Sequence, residues 1–204
     1  ACGEILATRH GAVCVGTMDG ALWITHLEAR LEGAIKLPAT QVLGDRVATI
    51  PESVIEFDAQ ATYRSWREIR YVERNQVGYL YFDFYNGAIN TEQCRRLRDA
   101  YLDARTRPTK VIVLMGGRDF FSNGIHLNTI EAADNPAIES WRNIVAIDDL
   151  VVEILNTMSH RTVAALRGNA GAGGAMLALA ADRVYARNGV ILNPHYKGMG
   201  GLYG

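Results

Sequence analysis

Residues 164–177, Ala-Ala-Leu-Arg-Gly-Asn-Ala-Gly-Ala-Gly-Gly-Ala-Met-Leu, constrain this chain more than any other stretch. Between Gly168 and Gly174 four of seven residues are glycine, directly after an apolar run and directly before an Ala/Leu pattern. The segment reads as strand, glycine loop and helix. Such a junction leaves backbone N–H groups uncovered at a helix N-terminus, where negative charge is stabilised. Phe120-Phe121-Ser122-Asn123-Gly124-Ile125 has the same logic on a smaller scale. A strand over 111–115 runs into a loop whose Gly124 frees the next amide to face a ligand. Two such amides converging on one oxygen make an oxyanion hole, which stabilises enolates and tetrahedral adducts.

The rest of the chain falls into two styles. Residues 1–47 read as β, with strands over 4–8, 12–17 and 21–27, a turn at His10-Gly11 and a hairpin at Asp19-Gly20. So small a sheet must pack on something. Residues 48–70, with Pro51 and several acids, read as a linker to a second unit over 71–204. There an α/β rhythm begins. A strand over 77–84 alternates Leu80, Phe82 and Phe84 with Tyr79, Tyr81 and Asp83. Asn86 to Asn90 read as a turn, and Thr91 as the N-cap of a helix reaching Arg105, with Cys94, Leu97, Tyr101 and Leu102 as its apolar stripe. A strand over 110–115, a helix over 138–158, a strand over 162–166, a helix over 175–181 and strands over 183–185 and 190–192 complete the pattern. Strands alternating with helices argue for parallel pairing.

Composition narrows the function classes. A net charge of −1 gives no electrostatic case for nucleic acid or an anionic membrane. Cys2, Cys14 and Cys94 are odd in number and widely spaced, which argues against a disulfide framework or a metal site and for reduced thiols in a cytoplasmic protein. The apolar stretch 163–181 is interrupted by Arg167 and Asn169 and is too rich in glycine to cross a bilayer. The chain opens on Ala1, which fits an excerpt of a longer protein.

Three segments, in this order and spacing, resemble the crotonase (enoyl-CoA hydratase/isomerase) superfamily over about residues 71–204: Gly87-Ala88-Ile89-Asn90, Phe121-Ser122-Asn123-Gly124-Ile125 and Gly168 to Met176. The resemblance implies an α/β fold with a ββα spiral core, incomplete at Gly204. It implies a coenzyme A site, with the loop at Gly87, Ala88 and Ile89 holding the pantetheine and adenine. The oxyanion amides fall on Ile125 and Gly173, and Ser122, Gly124, Gly174 and Met176 are further CoA-site candidates. The departures are chemical. The hydratase glutamate falls on Met176, the second catalytic acid near Asn193-Pro194-His195, and the aspartate after the first oxyanion residue on His126. Plain hydration needs acid–base groups at the alkene and water, so it is not expected.

The front of the chain, Gly3 to Ala7 and Gly20 to Gly44, resembles the small, OB-like C-terminal β-domain of formyltetrahydrofolate-dependent formyltransferases. That domain joined to a crotonase-like one is similar to NiFe-hydrogenase maturation factors of the HypX/HoxX type. The run Asn193 to Gly204 resembles the same family. The resemblance implies formyl transfer from formyltetrahydrofolate to CoA, then conversion of formyl-CoA to CO and CoA for the hydrogenase iron, with hydrogenase maturation proteins as partners. His195 and Tyr196 are the candidate proton carriers, and Met176 fits a dry pocket. A conventional acyl-CoA enzyme and a non-catalytic CoA- or partner-binding module remain alternatives. Arg95, Arg96 and Arg98 read as a solvated helix face, with one arginine a candidate for a CoA phosphate.

Overall fold

The computed structural model describes residues 2–54 and 65–195, and its contacts divide into two units, Ala1–Glu56 and Phe57–Gly204. In the first, β1 (Ile5–Arg9), β2 (Ala12–Gly16) and β3 (Ala21–Ile24) form an antiparallel sheet in that order. His10 and Gly11, at φ 46° and 85°, make the tight turn between β1 and β2. The strand expected over 21–27 breaks at Thr25. Its end, β4 (His26–Leu27), pairs instead with β5 (Leu37–Pro38).

Residues 39–47, expected to be β, are helical: α1 (Ala39–Leu43) and a 3-10 turn (Gly44–Val47). Pro38 has no N–H with which to continue a ladder, and a helix starts after it. This helical stretch supplies the cover that a three-stranded sheet needs, packing Ala39 and Val47 on Val13. Residues up to Ser53 belong to the same unit. Thr8 N–H donates to Pro51 O at 3.0 Å, and the buried Arg9 donates from Nε to Ser53 O at 2.9 Å. Of the expected linker 48–70, residues 55–64 lie outside the described residues. Both of its ends are built into the units.

The second unit begins with β6 (Ile69–Arg74) and repeats one motif: long strand, short strand, helix. The first turn is β7 (Val77–Phe82), β8 (Ala88–Ile89) and α2 (Thr91–Ala104), with a 3-10 turn at Tyr85–Gly87 before β8. The second is β9 (Val111–Met115), β10 (Phe120–Ser122) and β11 (Gly124–Ile125), then α3 (Leu127–Glu131) and α4 (Pro136–Leu155). The third is β12 (Arg161–Leu166), β13 (Asn169–Gly171) and α5 (Gly173–Leu179), and β14 (Arg183–Ala186) and β15 (Leu192–Asn193) follow. The long strands form one sheet, β14-β12-β9-β7-β6, parallel except for the antiparallel β6–β7 pair. The short strands pair among themselves, β8 with β11 and β10-β13-β15. This gathers three loops from distant parts of the sequence.

The alternation read in 77–84 decides which face is buried. Leu80 and Phe82 from β7, Ile112 and Leu114 from β9 and Leu166 from β12 are at most 2% exposed. They meet Leu97 and Tyr101 of α2, Leu150 and Ile154 of α4 and Leu177 of α5. At roughly 1.5–3 kcal/mol for each such side chain, this layer dominates the stability of the unit. Glu68, 7% exposed, fastens the start of β6 to α2, accepting from Gln93 Nε2 at 2.7 Å and Arg96 at 2.6 Å. No helix among the described residues is long and apolar enough to cross a membrane.

Candidate functional site

The glycine loop and the segment fifty residues upstream meet at their backbones. Gly124 has φ +78°, and a Cβ placed on it would lie 2.9 Å from Gly173 N and 3.1 Å from Gly173 Cα. Only glycine fits this approach. Gly174, next along, has no room for a side chain because the backbone and Cβ of Ser122 occupy that space. Ser122 is fully buried, and its Oγ accepts Gly124 N–H at 3.1 Å. Its hydroxyl therefore shapes the loop. Ile125 and Gly173, the expected oxyanion residues, thus sit on two backbones in contact, and the first amides of α5 have no partner inside the helix.

The expected CoA loop lies against the same segment. Ala88 pairs with Gly124 and Ile89 with Ile125 in parallel register. Asn123 N–H donates to Gly87 O at 2.7 Å, and Asn123 Nδ2 donates to Asn86 O at 2.7 Å. The segment 86–90 is thus a 3-10 turn followed by a short strand, where the sequence suggested a simple turn. Tertiary pairing with β11 extends it.

Downstream, Ala172 N–H donates to Asn193 O at 2.8 Å, and β15 runs parallel to β13. This brings the segment carrying His195 alongside the glycine loop. His195 is exposed, and its N–H donates to Asn193 Oδ1 at 3.0 Å. Tyr196 lies outside the described residues. Met176 is 43% exposed, so it does not seal a dry pocket among the described residues. His126 is a helix cap: its Nδ1 accepts Thr129 N–H at 3.3 Å at the start of α3, and burial lowers its pKa. The arginines of α2 are paired with carboxylates, Arg95 with Glu92, Arg96 with Glu68 and Arg98 with Glu153.

Two further residues of the site are not among those expected from the sequence. Ala172 has φ 45° and ψ −126°, a conformation that favours glycine, at the point where the loop turns into α5. Asn143, on α4, is fully buried and bonded to both His126 and Ile89. An amide inside the apolar pattern of 138–158 was the available clue.

A model of the enoyl-CoA hydratase/isomerase family matches residues 75–197, the span that holds all three loops. This chain belongs to the enoyl-CoA hydratase/isomerase family. Its similarity to one kind of member runs further, into the first unit. It is 48% identical over 202 residues to the hydrogenase maturation factor HoxX of Bradyrhizobium diazoefficiens, covering 99% of this chain and 34% of that protein. The crystal structure of HypX from Aquifex aeolicus in complex with tetrahydrofolic acid matches at 54% identity and a TM-score of 0.93, over 96% of this chain and 35% of that one. The resemblance to the maturation factors read from the motifs therefore holds along the chain, which spans about a third of their length. An enoyl-CoA hydratase from Bacillus halodurans shares the crotonase-like fold, at 23% identity and a TM-score of 0.51 over 59% of this chain and 50% of that one.

Proposed function

We propose that this chain carries the CoA-thioester site of a hydrogenase maturation factor and converts formyl-CoA to CO and CoA. The formyl group would come from formyltetrahydrofolate, at a site mostly outside this chain, and the CO would go to the hydrogenase iron. The observation that carries this reading is the backbone contact of Gly124 with Gly173; the family resemblance adds that Met176 and His195 fall where a hydratase has carboxylates.

The chemistry suits those residues. Decarbonylation removes the formyl proton, leaves the C–H electron pair on carbon as the lone pair of CO, and sends the C–S pair out with sulfur, which is then protonated. The Ile125 and Gly173 amides are donors to the thioester oxygen, where they hold and polarise the carbonyl while the proton leaves carbon and the C–S bond breaks. The loop at Gly87, Ala88 and Ile89 holds the CoA chain, with Ser122, Gly124 and Gly174 setting the close approach and Met176 presenting no acid. His195 and Tyr196 carry the proton from carbon to sulfur. No attacking water is needed.

The test uses the full-length protein with formyltetrahydrofolate and CoA, CO being read by the absorbance change of reduced haemoglobin. CO that requires both substrates is expected. His195→Ala and Tyr196→Phe should lower CO output at least tenfold with CoA affinity nearly unchanged, as loss of a proton carrier does. Full CO output in both variants would place the proton relay elsewhere. CoA binding without any CO would overturn the reading. The second reading is an acyl-CoA hydratase or isomerase, favoured by 36% identity over 86 residues to enoyl-CoA delta isomerase 3 of Arabidopsis thaliana, 41% of this chain and 36% of that protein. Turnover of crotonyl-CoA would select it.

A further inference from the structure

We propose that Asn143 is a positioning residue that locks the CoA-holding loop to the Ile125 strand, and so aims the Ile125 amide; this rests on the CoA-thioester reading above. Asn143 lies mid-way along α4, 0% exposed, in a helix whose other inward residues include Ala146, Ile147, Leu150 and Ile154. An asparagine is a poor helix former, and a buried amide is costly unless its hydrogen bonds are made. Both ends of this one are used. Oδ1 accepts His126 N–H at 3.1 Å, and Nδ2 donates to Ile89 O at 3.0 Å, with Cys94 Sγ at 3.6 Å.

The two backbone partners sit at the working end of a very short ladder. β8 and β11 pair over two residues only, Gly124 with Ala88 and Ile125 with Ile89. Ile89 closes one strand, and His126 follows the other directly. So short a pair has little register energy of its own. One side chain bonded to both strands supplies what the ladder lacks. The same helix also supports the opposite wall: Ile147, one turn beyond Asn143, would have its Cδ1 3.7 Å from a Cβ on Gly173. Both backbones expected to carry oxyanion amides therefore rest on neighbouring turns of α4. A leucine at 143 could fill the space, but it would leave His126 N–H and Ile89 O without this partner.

The distinguishing measurement is the polarisation of a bound thioester carbonyl. Full-length protein is saturated with acetyl-CoA labelled with carbon-13 at the carbonyl, and the C=O stretch is read by difference infrared spectroscopy. The wild type is expected to lower the stretching frequency. Asn143→Ala should lose at least half of that shift and weaken CoA binding by roughly several-fold to tenfold, the scale of one lost hydrogen bond. Asn143→Ser, too short to reach both partners, is measured alongside and serves if the alanine variant does not fold. The control is Tyr101→Phe, which deletes the buried 2.6 Å hydrogen bond to Thr157 without touching the site loops. It should lose stability and keep the full shift. A folded Asn143 variant that keeps the full shift would reduce Asn143 to a core residue and overturn the proposal. Absence of any shift in the wild type would instead remove the oxyanion pair itself, and Asn143's role with it.

Discussion

Ala172 occupies φ 45° and ψ −126° immediately before α5, and Gly124 occupies φ +78° immediately before Ile125. The two positions predict opposite outcomes. Ala172→Gly relieves backbone strain at little other cost, and denaturant unfolding should show a gain of about 1 kcal/mol. Gly124→Ala adds strain and forces a Cβ towards Gly173 N, so it should cost at least about 2 kcal/mol and abolish any carbonyl shift. His126 makes a third residue-scale prediction. Burial holds its pKa below the ordinary 6.5. Above that value it is neutral in both states and its contribution is fully present. As pH falls through 6.5 the unfolded chain takes up the proton first, so stability drops until the folded histidine also protonates. His126→Asn keeps a capping side chain and should flatten that limb, as unfolding at pH 7.5 and 5.5 would show. The glycines could be picked out of the sequence because the residue type announces the backbone it permits. Ala172 could not, because an alanine announces nothing about φ, and Asn143 stood out only as an amide in an apolar helix pattern, which names none of its partners.

At the scale of elements, α2 shows how tertiary contacts move a boundary. Thr91 reads as a good N-cap, yet the cap is Asn90, whose Oδ1 accepts Gln93 N–H at 2.9 Å while Gln93 Oε1 accepts Asn90 N–H at 3.0 Å. Thr91 Oγ1 is engaged by α4 instead, donating to Glu139 Oε1 at 2.6 Å. Asn90→Ala should therefore cost about 1 kcal/mol, where Thr91→Ala loses an interhelical bond and leaves the cap intact. The α2–α4 pair is also clamped by Glu153, which accepts from Arg98 and Arg105, both at 2.7 Å. Arg98 first, with Arg105 adding to it, holds the Glu153 carboxylate below its usual 4.5. That stabilisation is present above the unfolded value and is lost as pH falls through the lower folded one, so Glu153→Gln should blunt acid unfolding. Cys94, buried between these helices, has its thiol pushed up to about 12 by burial. Its alkylation should follow unfolding of the unit, while the exposed Cys2 reacts in the native protein.

At the scale of the whole molecule, the proposed reading gives the crotonase-like unit an oxyanion pair, at the approach of Gly124 to Gly173, without the hydratase acids. Hydration of crotonyl-CoA should stay at background, measured by loss of enoyl absorbance. Met176→Glu alone should not restore it, because a proton carrier and a water-positioning group are both required.

The sequence by itself determined the α/β rhythm, the buried face of β7, the three loops and the family to which they belong. These are local: apolar period, glycine spacing and cap chemistry are written in neighbouring residues. Only the tertiary structure decided that Gly124 touches Gly173, that Ala88 and Ile89 pair as a short strand with β11, that residues 39–47 close the first sheet as helix, and that Asn143 ties Ile89 to the His126 amide just after β11. Each depends on which segments meet in space, and a contact between residues 89 and 143 leaves no mark on either neighbourhood.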